Sequence, residues 1–138
     1  MLKNILLISF AIGFGLSLFA LQAQDASSLA VEEMQFGTAV EDRQLTGADS
    51  VFSADVGEVY CFTKITGAET PVTVSHVWYY GDEEKARIEH DVKAKSWRTW
   101  SSKRIAPSWT GQWRVDVVSP DGTVLGSKSF TIKAASGE

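Results

Sequence analysis

The residues of this chain whose types and spacing bear on chemistry are two histidines, a serine–lysine pair and a tryptophan between two arginines. His76 and His90 fall on neighbouring predicted strands. A histidine pair that recruited a carboxylate would serve as a general base or as the start of a metal site. Alternation along a strand puts Asp91 on the face opposite His90, so Asp91 cannot orient that ring. Ser101 and Lys103 share a strand face but lack the glycine-rich elbow that presents a serine nucleophile, and both read as ordinary strand polar residues. No Cys pair, His-x-His or acidic calcium loop is present, and Asp82-Glu83-Glu84 reads as a solvated turn. Cys61, the single cysteine, lies between Tyr60 and Phe62 and is expected to be a small buried apolar group. The chain is expected to be no enzyme, to have no catalytic or metal-binding residue and to need no cofactor. An enzyme or metalloprotein built on His76 and His90 is the lesser alternative.

The binding chemistry is easier to place. Arg98, Trp100, Ser102 and Arg104 share one face of a predicted strand, and Trp97, Thr99 and Ser101 the other. Only one face of a sandwich sheet meets the core. With Trp97 assigned to the core, Trp100 is left at the surface between two guanidiniums, and Trp109, in a loop after Pro107, is expected to rim the same surface. An aromatic ring between guanidiniums suits an anionic glycan, a peptide carboxylate or an envelope-protein hot spot. Arg98, Trp100, Arg104 and Trp109 are therefore the candidate ligand-binding residues. The competing reading has Trp100 covered and the arginines stacked on it for packing alone. Charge is segregated around this strand. Between residues 25 and 58 Arg43 is the one basic residue among acidic ones, whereas from 92 to 115 Lys93, Lys95, Arg98, Lys103, Arg104 and Arg114 stand without an acid. The net charge of −4 argues against nucleic acid or an anionic membrane as partner, since both want a net basic face.

The elements that must position these residues are strands. At 138 residues the chain suits one domain. Lys3 and the apolar run Ile5 to Leu21, ending at Ala20 and Ala23, read as an export signal over residues 1–23, with an uncleaved membrane anchor as the alternative. Residues 24–30 read as a spacer, 31–134 as the domain and 135–138 as a tail. The domain is then periplasmic or secreted, touching a membrane only if the leader stays. No segment of it shows sustained helical periodicity. β-Branched and aromatic runs predict seven strands: Val31 to Val40, Glu58 to Ile65, Val72 to Tyr80, Lys85 to Val92, Ser96 to Ile105, Trp113 to Val118 and Val124 to Ile132. Gln44 to Asp55 reads as a polar connection, and Pro120-Asp121-Gly122 as a hairpin turn. Seven strands in this length predict an all-β, immunoglobulin-like sandwich, with a small barrel as alternative. Trp78 and Trp113 sit in alternating apolar patterns and are assigned to the core.

The runs His76-Val77-Trp78-Tyr79-Tyr80, Trp97-Arg98-Thr99-Trp100-Ser101-Ser102-Lys103, Gly111-Gln112-Trp113-Arg114-Val115 and Ser129-Phe130 resemble the bacterial domain of unknown function 2914, from about Tyr60 to Ile132. That resemblance implies an exported or membrane-tethered β-domain. It brings no activity and no catalytic residues. The expectation from the chain as a whole is an exported, non-catalytic binding or interaction module. A structural envelope domain without a discrete ligand is the alternative.

Overall fold

The computed structural model describes residues 28–135; the expected leader, most of the spacer and the end of the tail lie outside them. The apolar runs form ten strands: β1 (Ala30–Gly37), β2 (Ala39–Glu41), β3 (Gln44–Thr46), β4 (Val51–Ser53), β5 (Glu58–Thr66), β6 (Val72–Tyr80), β7 (Glu83–Val92), β8 (Ser96–Arg104), β9 (Gly111–Val118) and β10 (Val124–Lys133). A three-stranded sheet, β1-β5-β8, packs on a five-stranded sheet, β4-β10-β9-β6-β7, and β2-β3 stand as a separate hairpin. Of the seven long strands, the first, second and fifth make one layer and the remaining four the other, as in an immunoglobulin-type sandwich. Hydrogen-bonded pairing joins neither β1 to β10 nor β7 to β8, so the layers stay open sheets and no barrel closes.

The chain enters at Ala30, opposite Thr66, at the end that also holds Gly67 and the Pro120–Gly122 turn. The last strand finishes at Lys133, opposite Ser53, at the other end, beside Gly57, Gly81 and Ile105. One apolar cluster, built on Trp78, Trp113, Phe36 and Phe130, fills this second end. A smaller one, built on Ile65, Val74, Val92 and Val117, fills the first. Trp78 and Trp113 are fully buried as expected, and so is Cys61. Between the clusters lie the buried polar side chains of Thr63, His76 and Ser101.

Two features depart from the sequence reading. The first strand stops at Gly37 instead of running to Val40, and the stretch read as a polar connection contains β3 and β4. Each of these strands has a single inward residue, Leu45 or Phe52, too few for an alternating pattern to show. β4 joins the edge of the larger sheet in parallel with β10. The β2-β3 hairpin turns through Asp42 and Arg43, both left-handed at φ 51° and 64°, the arrangement of a two-residue turn that matches strand twist. It folds closely against β1 at Gly37, where an added Cβ would lie 2.5 Å from the Thr46 carbonyl oxygen and 2.7 Å from Leu45.

Candidate functional site

On β8 the alternation holds. Arg98 and Arg104 are exposed, Ser101 is buried, and Trp97 packs against the smaller core cluster. Trp100 is half-buried, because its ring lies nearly parallel to that of Phe62 across the β5–β8 ladder, with centroids 5.8 Å apart and planes 5° apart. Phe62 is outward-facing on β5 yet only 7% exposed, so Trp100 shields an apolar ring while presenting part of itself to solvent. Beside this pair the hairpin tip delivers Arg43. Arg43, Trp100 and Arg98 line one concavity of about 420 Å³ together with Glu89, His90 and Lys93. Arg43 and Arg98 also line an adjoining one of about 640 Å³ with Phe62 and Glu33. Among the described residues neither guanidinium has a hydrogen-bond or ion-pair partner. Arg114 differs: its Nε donates to Asp116 at 3.0 Å and its guanidinium lies 4.2 Å over Tyr79, so its charge is already used.

The four expected binding residues do not form one surface. Arg98 and Trp100 stand together, joined by Arg43, which the sequence reading missed because Arg43 sits in an acidic segment and reaches them only through the hairpin. Arg104 and Trp109 line a separate hollow of about 550 Å³ with Lys103 and Ile105 at the far end of the sandwich. Trp109 packs at a tilt against Tyr80 and Trp113 there, with the Lys85 and Lys103 ammonium groups 4.9 and 5.6 Å from its ring centroid. It does not rim the Trp100 face.

His76 is fully buried, and half-buried His90, which lines the Trp100 concavity, meets it there. Their ring centroids are 4.3 Å apart. The Trp78 indole N–H donates to Ser101 Oγ at 3.1 Å, and Ser101 Oγ lies 2.7 Å from His76 Nδ1. His76 Nε2 is 3.0 Å from Thr63 Oγ1, which donates to the Thr99 carbonyl at 3.2 Å. Thr63 gives its one proton to the Thr99 carbonyl, so His76 Nε2 carries the ring proton and donates to Thr63, and the bare Nδ1 accepts from Ser101. This neutral tautomer satisfies every member of the chain. Burial, with the neighbouring His90 adding to it, pushes the His76 pKa down to about 3. His90 Nδ1 lies 2.8 Å from Thr99 Oγ1, while its Nε2 is buried without a partner. Burial lowers its pKa too, against a smaller opposing pull from Asp91. Ser101, read from sequence as an ordinary polar residue, is instead the hinge of this network. No group of three metal-ligating side chains occurs among the described residues, and the ring pair has no carboxylate converging on it.

Residues 71–132 match a family described as protein of unknown function (DUF2914). The match covers β6 to β10 and begins eleven residues later than the resemblance suggests, leaving β5 outside it. No curated protein matches the chain.

Proposed function

We propose that this chain, a member of that family through β6 to β10, is an exported, non-catalytic binding module that recognises an anionic ligand on the outer face of the β1-β5-β8 sheet. The observation that carries this reading is that two unpartnered guanidiniums and one aromatic ring line a single concavity. Arg43 and Arg98 come from segments more than fifty residues apart, yet they line the same concavity as Trp100. An anion entering that concavity gains from both guanidiniums, neither of which has to break an existing ion pair to receive it. Arg43 is also kept at a positive φ, a conformation that disfavours any residue with a side chain and tends to persist where it has a use. Chemistry at the histidines is disfavoured because Ser101 and His76 are sealed in the core. Export rests on Lys3, the Ile5–Leu21 run and the Ala-rich boundary after it.

Arg43→Ala and Arg98→Ala are expected to change stability by no more than about 0.5 kcal/mol. Both should abolish retention on an anionic glycan array or capture of an acidic envelope protein, and that retention should weaken as salt rises. Retention indifferent to both substitutions and to salt would remove the reading. A structural role for the same face is the second reading, favoured by the Trp100–Phe62 stack. It expects Trp100→Ala to cost about 2 kcal/mol or more with no binding partner lost.

A further inference from the structure

We propose that the free edge of β8 accepts an extended acidic peptide segment of a partner protein as an added strand. The inference rests on the reading of the Arg98–Trp100 face as a binding face and names the form of its ligand. Each of the other edges of the two sandwich sheets is blunted in a way that discourages strand addition. β4 is only three residues long, and the ladders of β1 and β7 are each interrupted by a register shift. β8 is nine residues long and pairs with β5 in unbroken register from Glu58↔Arg104 to Thr66↔Ser96. Its protection is charge alone.

The hydrogen-bond phase of this edge follows from its two ends. The Gly67 N–H donates to the Lys95 carbonyl at 3.0 Å, and the Ile105 N–H to the Gly57 carbonyl at 2.9 Å. In an antiparallel ladder bonded pairs recur at every second residue. The odd-numbered residues of β8 therefore bond to β5, and Arg98, Trp100, Ser102 and Arg104 turn their N–H and C=O groups outward. Among the described residues nothing bonds to those groups. The side chains of the same four residues stand on the outer face, so a strand laid along this edge would be held by their backbone and flanked by their side chains.

Charge selects the occupant. An acidic residue directly opposite Arg98 or Arg104 makes a favourable cross-strand pair. A second copy adding antiparallel through its own β8 about Ser101 would set Arg98 against Arg104, which is repulsive. Glu89 and Asp91 of β7, with His90, flank the Arg98 end, opposed by Arg43 and Lys93. The acidic residues of the incoming strand are thus best placed from Arg98 toward Arg104. Main-chain bonding along a sheet edge with side chains chosen in alternation is an established mode of peptide capture.

The test is fluorescence anisotropy of the whole chain with three end-blocked peptides matching the nine residues of β8. One alternates glutamate and threonine, one is the same peptide N-methylated at alternate amides, and one has lysine for glutamate. The first should bind saturably, the second at least about tenfold more weakly, because two or more edge hydrogen bonds are lost, and the third not at all. On binding, amide exchange should slow at Arg98, Trp100, Ser102 and Arg104 and stay unchanged at Thr99 and Ser101. Ser102→Pro removes one outward N–H without touching the β5 ladder, so it should lose binding that Ser102→Ala retains. If Ser102→Pro fails to fold, the N-methylated peptide still decides. Equal binding of the N-methylated peptide, or protection missing from the even-numbered amides, overturns strand addition while leaving an anion-binding face intact. No binding of the glutamate peptide, or self-association through β8, overturns it as well.

Discussion

Ser101 Oγ accepts from Trp78 and donates to His76, so removing it strands two buried groups at once. Ser101→Ala is expected to cost on the order of 2–4 kcal/mol in denaturant unfolding, several times the effect of an exposed serine. The neutral state of the histidines fixes the sign of the acid response. His76 binds a proton in the unfolded chain near pH 6.5 but in the folded chain only near 3. Stability is therefore complete above about pH 6.5 and falls as pH drops toward 3, by up to about 1.4 kcal/mol per pH unit for this group. His90, shifted the same way, adds to the loss. Chemical denaturation at stepped pH should show this slope, and His76→Gln should flatten it. Arg43 gives a different kind of test. Its left-handed φ suits glycine, so Arg43→Gly should hold or raise stability while losing ligand, a separation that a purely structural arginine would not produce.

At the scale of elements, the hairpin depends on one missing side chain. Gly37→Ala would drive a Cβ into the Thr46 carbonyl and Leu45, so the hairpin must shift and carry Arg43 with it. Amide exchange should quicken at Thr38, which donates to the Thr46 carbonyl at 2.9 Å, with the sandwich amides unchanged. This element also marks where the sequence stops being informative. From β5 to β10 alternation is long enough to read, and strand ends fall within about two residues of expectation. The pairing of Trp97 inward with Arg98 and Trp100 outward is legible from that alternation alone. β3 and β4 are not legible, because a three-residue strand with one inward side chain looks the same as a polar loop. Arg43 shares the concealment, since its place beside Trp100 is set by a tertiary fold-back. Trp109 reads as a surface residue because it follows Pro107, and nothing local shows that Tyr80 and Trp113 take it up. The histidines lie on adjacent strands, as alternation predicts, but the proton chain through Ser101 needs the facing sheet.

For the molecule as a whole, stability rests on a core split by a polar belt. Trp113, 1% exposed, stacks on Phe130 at 5.9 Å, and Trp113→Ala is expected to cost about 3–5 kcal/mol, enough to unfold a marginal domain. The belt adds uniqueness to that stability. A two-residue slip of β6 would keep the apolar pattern but set His76 against the wrong partners, a penalty that ordinary apolar side chains do not impose. Mass spectrometry on protein from the native host should find a new N-terminus near Gln24 if the leader is removed, and intact Met1 in a membrane fraction if it is not. The first and last strands run in the same direction and leave from opposite ends of the sandwich, and this has a mechanical consequence. Tension between the two ends acts along the strands, so the bonds of β1–β5 and of the parallel β4–β10 pair carry the load side by side and must yield together. A hairpin pulled open from one end yields bond by bond instead. Stretched between two attachments, this small domain without a disulfide should behave as a stiff link, and optical-trap pulling from its termini should need more force than pulling across the sheets.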